Sequence, residues 1–326
     1  MTVLSLPGRA VRYALRRGNE AGHMVRGKYI LYRYAAHYRR ARRLYQRSNA
    51  PAARTVASLY ETGVRVIRPA AGDAAIALPS GYGALVDRVA RSVAAAFERS
   101  AHCHFFPGLP AGAMAERTAD VPAVVNGEVI ALQLLDPFVI DGVRDLCEPL
   151  LQELERALYG SFTIADKVYI YRNPVSHQLP RTSWRWHFDN HPREMLKVMV
   201  YLTDVDEGTA PFQYLRERSS GQPLAGSPLT PMFGNSRVAD EDIERRLAAD
   251  WICQSVTGPR GTIVVFDDNI IHRATLAKSA HRDVVVFQVR PAAFQPAARL
   301  DPKWTGSFGH RAFNGNPWEL APGPRA

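Results

Sequence analysis

His187 and Asp189 stand two apart in WRWHFDNHPREM (184–195), so an extended backbone puts both side chains on one face, as two ligands of one metal require. A third ligand must come from elsewhere in the chain. His272 supplies it from the end of GTIVVFDDNIIHRA (261–274), a strand-and-turn pattern that would lie beside the first. Two imidazoles and one carboxylate on one face of an octahedral metal leave three positions open, a set that suits iron(II) and leaves room for a co-substrate and dioxygen. His-x-Asp alone occurs by chance in many chains; the later histidine after a strand makes the pattern more specific. Arg282, ten residues beyond His272, opens DVVVFQVR (283–290) and could face the same cavity. Its planar fork of donors is suited to a two-handed grip on a carboxylate, here the distal carboxylate of 2-oxoglutarate.

Other polar residues near these have two readings each. Alternation in LKVMVYLT (196–203) puts Lys197 and Tyr201 on the face opposite Leu196, Val198, Val200 and Leu202. A lysine inside a barrel needs a carboxylate partner, and 2-oxoglutarate or substrate would serve; the plain reading is a strand lysine. Tyr171 is placed to reach the co-substrate or to orient a ligand from a neighbouring strand. His191 continues the His187 and Asp189 alternation, but Pro192 starts a turn there. His102 and His104 flank Cys103 without a completing ligand nearby, which favours a loop role. Trp184, Trp186, Phe212 and Tyr214 line the pocket mouth or pack a core. Asp267 and Asp268 either fix the strand end before His272 or serve the turn.

HFDNHPREMLKVMVYLTDVDEGTAPFQYL, with GTIVVFDDNIIHRA and Arg282, resembles the phytanoyl-CoA dioxygenase family of the 2-oxoglutarate oxygenase superfamily, over roughly 165–292. FQYLRERSSG (212–221) lacks the glycine and histidine of that family's Y-x-x-G-S-H turn. The resemblance implies a double-stranded β-helix (jelly-roll, cupin-like) fold, Fe(II) on His187, Asp189 and His272, and 2-oxoglutarate on Arg282. It implies oxidative decarboxylation of 2-oxoglutarate with dioxygen, coupled to hydroxylation of an unactivated C–H on a small-molecule, carrier-linked or CoA-linked substrate. Halogenating relatives carry a small residue at the position of Asp189, so its carboxylate points to hydroxylation. Two readings from other classes stay open: a zinc hydrolase on a cupin-like barrel, which needs no Arg282, and a non-catalytic jelly-roll binding module.

The elements that must position these residues change period along the chain. KVYIYR (167–172), LKVMVYLT, GTIVVFD (261–267) and DVVVFQVR are short β-branched or aromatic runs between turns, which predicts a mainly β core with flanking helices. GYGALVDRVARSVAAAFE (81–98) predicts an amphipathic helix, and 149–159 a second, with Pro149 in its first turn and Leu150, Leu154 and Leu158 as its buried stripe. We divide the chain into a basic, helical extension (1–60), an oxygenase domain (61–295) with an insertion at about 218–255 that would form a lid, and a C-terminal coil (296–326).

The net charge of +10 sits in the extension: residues 1–54 hold thirteen Lys or Arg and one acid, leaving 28 bases against 30 acids elsewhere. Tyr34, Tyr38, Ala41 and Tyr45 form a helical stripe there. It either packs on the domain with its arginines solvated or forms a patch for an anionic surface or acidic carrier; no nucleic-acid motif accompanies it. Three widely spaced cysteines argue against a disulfide framework, and no apolar run spans a membrane, so a cytoplasmic location is expected.

Overall fold

Period-two runs pair into two antiparallel sheets that face each other. The computed structural model describes residues 35–36, 38–47, 63–69, 76–98, 103–104, 124–125, 128–129, 132–134, 137–177, 184–189, 191, 194–226, 236–292 and 294–306. The larger sheet contains β1 (Val64–Ile67), β2 (Cys103–His104), β5 (Leu132–Leu134), β6 (Thr163–Asn173), β7 (Leu196–Tyr201), β10 (Ile263–Asp267) and β12 (Arg282–Pro291). Its order is β1-β10-β7-β12-β6-β5-β2. The smaller sheet joins β11 (His272–Ala274), β8 (Phe212–Glu217) and β9 (Trp251–Val256) in that order. Isolated bridges continue it past β11, from His272 to His187 and from His187 to Arg237. From β9 onward successive strands alternate between the two facing sheets, and β8 and β9 pair as a hairpin-like unit in the smaller one, which is the expected double-stranded β-helix. A hairpin, β3 (Val124–Val125) with β4 (Glu128–Val129), stands apart.

Alternation divides the larger sheet into two faces. Val198, Val200, Val265, Val285 and Phe287 point outward into the main core. There they meet α2 (Tyr82–Glu98) through Val86, Val89 and Val93, and α3 (Val143–Leu154) through Leu146, Leu150 and Leu151. Met199, Tyr201, Val264, Phe266, Val284 and Val286 point inward with Phe212 of the smaller sheet. The Tyr201 hydroxyl crosses the barrel and donates to the Val256 carbonyl at 2.8 Å. β12 is buried at every residue, as a central strand covered on both faces must be.

Three local readings change. The second helix starts at Val143, after Gly142 in the left-handed region (φ 80°), and Pro149 lies inside it. Burial of Val143, Leu146, Cys147, Leu150, Leu151 and Leu154 compensates for the backbone hydrogen bond that the proline cannot donate. Glu155–Tyr159 follows as a π-helical turn. The end of the stretch read as an insertion, Trp251–Val256, is a barrel strand paired with β8. Between them α4 (Asp240–Leu247), with acids in its first turn and arginines in its last, buries Ile243 against Trp186, Leu215 and Ile271. That covers the outer face of the smaller sheet.

The helix over 38–47, α1, packs its apolar stripe on the domain. Ala41 and Tyr45 are buried, Tyr45 meets Phe162 edge-on at 5.2 Å, and Arg39, Arg40, Arg42, Arg43 and Arg47 are exposed. Tyr34 and His102 lie outside the described residues, as does the chain after 306. Among the described residues no helix is long and apolar enough to cross a membrane.

Candidate metal centre

The bridge between His187 and His272 brings together two ligand candidates that lie far apart in sequence. Their backbones exchange both hydrogen bonds, His187 N to His272 O at 3.0 Å and His272 N to His187 O at 2.9 Å. Residues so paired project side chains to the same face. Asp189, two residues on, is held by its backbone N–H to the Asp268 carbonyl at 2.8 Å. One ligand atom from each of His187, Asp189 and His272 lies within 4.8 Å of the others. The sequence-derived triad is thus one cluster.

Backbone carbonyls set which imidazole nitrogen faces it. His187 Nδ1 lies 2.8 Å from Arg185 O, and His272 Nδ1 2.9 Å from Ile270 O. A carbonyl only accepts, so Nδ1 carries the proton in each ring and Nε2 keeps its lone pair. Those Nε2 atoms approach the Asp189 carboxylate, His187 at 4.0 Å from Oδ1 and His272 at 3.6 Å from Oδ2. His272 is wedged against Phe212, Phe266 and His187 at ring separations of 5.4, 5.2 and 4.3 Å. Burial pushes the His187 imidazole down to about 3 and the His272 imidazole down to about 4, so both are neutral bases at ordinary pH. Burial alone would raise Asp189; the Lys197 ammonium leads the charges that outweigh it and hold the carboxyl well below the usual range.

Lys197 has its carboxylate, and it is Asp189: Nζ donates to Oδ2 at 2.5 Å. This leaves Oδ1 turned toward His187. The sequence offered a co-substrate or substrate carboxylate as the partner of the lysine, beside the reading of a plain strand lysine. Burial raises the Tyr171 phenol, and the charges of Arg282 and Lys197 both pull it down against that larger effect.

Arg282 is wholly buried, and its Nε, Nη1 and Nη2 have no hydrogen-bond partner among the described residues. The adjacent Asp283 does not relieve it. That side chain points to the opposite face of β12 and binds Arg172 through two hydrogen bonds of 2.7 Å. Among the described residues, Asn173, the cross-strand partner of Arg282, has a buried Nδ2 without a partner, and Gln133 opposite Tyr171 a buried Nε2 without one. Asn173 and Gln133 escaped sequence reasoning because only the β12–β6–β5 register puts them on the same wall.

His191 turns away from the triad to Asp268, Nδ1 to Oδ2 at 2.6 Å, with Gln288 Nε2 3.2 Å from the same oxygen. Asn269 clips the two loops together, accepting from His191 N at 3.1 Å and donating to His191 O at 2.8 Å. Asp267 accepts from Asn269 N at 2.8 Å. Of the aromatic residues considered for the mouth, Phe212 lies in the barrel core and Trp186 in the outer cluster beside α4. Tyr214 pairs with His272 on the inner face, and Trp184 is buried.

No family model and no curated protein sequence matches this chain. Among solved structures it is similar to EctD from S. alaskensis with bound Fe, at 16% identity over 85% of this chain and 90% of that one, with a TM-score of 0.49. It is also similar to the epimerase SnoN in complex with Fe3+, alpha ketoglutarate and nogalamycin RO, at 16% identity over 74% and 84% of the two chains and a TM-score of 0.47. HygX from Streptomyces hygroscopicus, with nickel, 2-oxoglutarate and hygromycin B bound, gives 13% identity over 74% and 88% and a TM-score of 0.41. At such identities no residue role passes from those proteins to this chain.

Proposed function

We propose that this chain is an iron(II)- and 2-oxoglutarate-dependent oxygenase of the kind exemplified by the phytanoyl-CoA dioxygenase family, with His187, Asp189 and His272 as metal ligands. The observation that carries the reading is a three-ligand cluster sharing a barrel with a buried, unpartnered guanidinium. An uncompensated buried charge costs several kcal/mol, roughly, unless something pairs with it. A carboxylate ligand would do so, and the distal end of 2-oxoglutarate is one.

The donor set fits iron(II): two neutral imidazoles aimed by backbone carbonyls, and a carboxylate ionised at any ordinary pH. When bound, iron(II) with 2-oxoglutarate and dioxygen supplies a centre able to oxidise an unactivated C–H bond while the co-substrate is converted to succinate and carbon dioxide. The protein holds and shields. Lys197 fixes Asp189 Oδ2 and leaves Oδ1 for the metal. Arg282, with the Asn173 amide beside it, takes the distal carboxylate, and Tyr171 borders the space between. Phe212, Phe266, Met199 and Val284 keep water from the inner wall. With a carboxylate at position 189, hydroxylation is the reaction we assign. The substrate is a small molecule, free or linked to a carrier or CoA, and the exposed arginines of α1 offer charge complementarity to an acidic carrier.

Zinc on the same ligands would activate water, but that chemistry has no use for Arg282. Anaerobic titration of iron(II) and then 2-oxoglutarate separates the two. A weak visible charge-transfer band should appear, be lost in His272→Ala and require far more 2-oxoglutarate in Arg282→Met. Folded wild-type protein that binds iron without the band would overturn the reading.

A further inference from the structure

The smaller sheet carries a second arginine at the metal centre. Arg237 bridges His187 on the side away from His272, and His272 in turn pairs with Tyr214, which pairs with Gln254. Directly paired residues share a face about 5 Å apart. Arg237, His187, His272, Tyr214 and Gln254 therefore form one row across the inner wall, with the guanidinium next to a ligand. Its Nη1 is buried with no hydrogen-bond partner among the described residues. Its charge reaches both His187 and His272; burial lowers its own pKa, and the Asp189 carboxylate acts against that. Nearby arginines are engaged: Arg273 donates to Gln213 at 2.9 Å and lies over Trp186, and Arg185 is 4.0 Å from Asp240.

Arg282, with none of its three nitrogens partnered, and Arg237, with one buried unpartnered Nη1, stand on opposite walls among the described residues and call for two anions. The co-substrate has two carboxylates, of which one would chelate the metal and the other would meet Arg282 on the larger sheet. Lys197 is already taken by Asp189. We infer that Arg237 anchors the substrate, and that the molecule oxidised carries an oxyanion, a carboxylate or a phosphate ester, which this guanidinium pairs with beside the metal. The inference rests on the oxygenase reading and adds the class of molecule and the wall it binds.

Calorimetry on protein loaded anaerobically with iron(II) and 2-oxoglutarate tests it with three probes: 4-phenylbutyrate, phenyl phosphate and the neutral 4-phenylbutyramide. One anion should bind at least about tenfold more tightly than the amide, and which anion does so tells carboxylate from phosphate. In Arg237→Gln that preference should vanish while the charge-transfer band stays; Arg237→Lys, which keeps the charge, should retain part of it. A wild type with no preference for either anion, or a preference unchanged in Arg237→Gln, overturns the inference. So does a band weakened in Arg237→Gln, which would give the arginine to the co-substrate. A band missing from the wild type sinks the oxygenase reading itself.

Discussion

The two ends of β12 present the same residue in opposite conditions. Arg290 and Arg282 are both fully buried, eight positions apart on one strand. Arg290 donates through Nε to Asp166 at 2.7 Å, inside a buried pair. Arg282 has hydrogen-bond donors and, among the described residues, no acceptor, although Asp283 is its chain neighbour. One guanidinium is part of the fold's own electrostatics, and the other is complementary to something the chain does not contain. Burial alone therefore does not separate a structural cation from a binding one; what separates them is whether the fold supplies the counter-charge.

The strongest way to break this contrast is to remove each arginine in turn. Arg290→Met should strip Asp166 of its partner and lower unfolding free energy by about 3–5 kcal/mol in chemical denaturation. In whatever fraction stays folded, 2-oxoglutarate affinity should not change. Arg282→Met should do the reverse: ligand-free stability unchanged or raised, and 2-oxoglutarate binding weakened by about 2–5 kcal/mol, read from the charge-transfer titration. Equal destabilisation by both variants would erase the distinction.

A smaller effect sharpens it at the metal end. Lys197→Met leaves Asp189 without its ammonium, so the metal-free protein should lose about 1–3 kcal/mol, and added iron(II) should restore more thermal stability than it adds to the wild type.

The pH dependence has a definite sign. His187 and His272 titrate near 3 and 4 in the fold, against 6.5 when unfolded, so between these values the unfolded chain binds more protons. Stability of the metal-free protein should be full above pH 6.5 and fall as the pH drops toward 4, as denaturation at a series of pH values would show. Iron binding has no proton to displace from either ring above about pH 5, so its affinity should be flat from pH 8 to 5.

The smallest change is Asn269→Ala. It unclips the loop after Asp189 from the loop before His272, and should weaken iron about tenfold while leaving the fold intact.

Strands that are buried on both faces were legible because their composition is continuous: IVVF and VVVF announce themselves. β9 was not, since WICQSV mixes cysteine, glutamine and serine on a half-exposed strand at the edge of the smaller sheet. Pro149 hid the first turns of α3, because helix propensity stops a helix where packing carries it through. The triad was readable from spacing, as two ligands share one short segment and the third follows a clear strand. Arg237, Asn173 and Gln133 carry no local signal; each matters only through the residue across from it, and register is a property of the folded sheets. Lys197 shows the boundary well. Alternation announced that it needed a carboxylate, but nothing in its own strand said that the carboxylate would be Asp189.

The pairing of His187 with His272 also matters to the chain as a polymer. The two lie about 85 residues apart in sequence, at the first bridge and the last strand of the smaller sheet in chain order. A metal bridging them closes a loop that includes β7 through β10, and a cross-link over such a length removes conformational freedom from the unfolded ensemble worth on the order of 4 kcal/mol. The ion would act as a removable staple. Chelation should then lower stability and raise susceptibility to protease, making cellular lifetime follow metal supply.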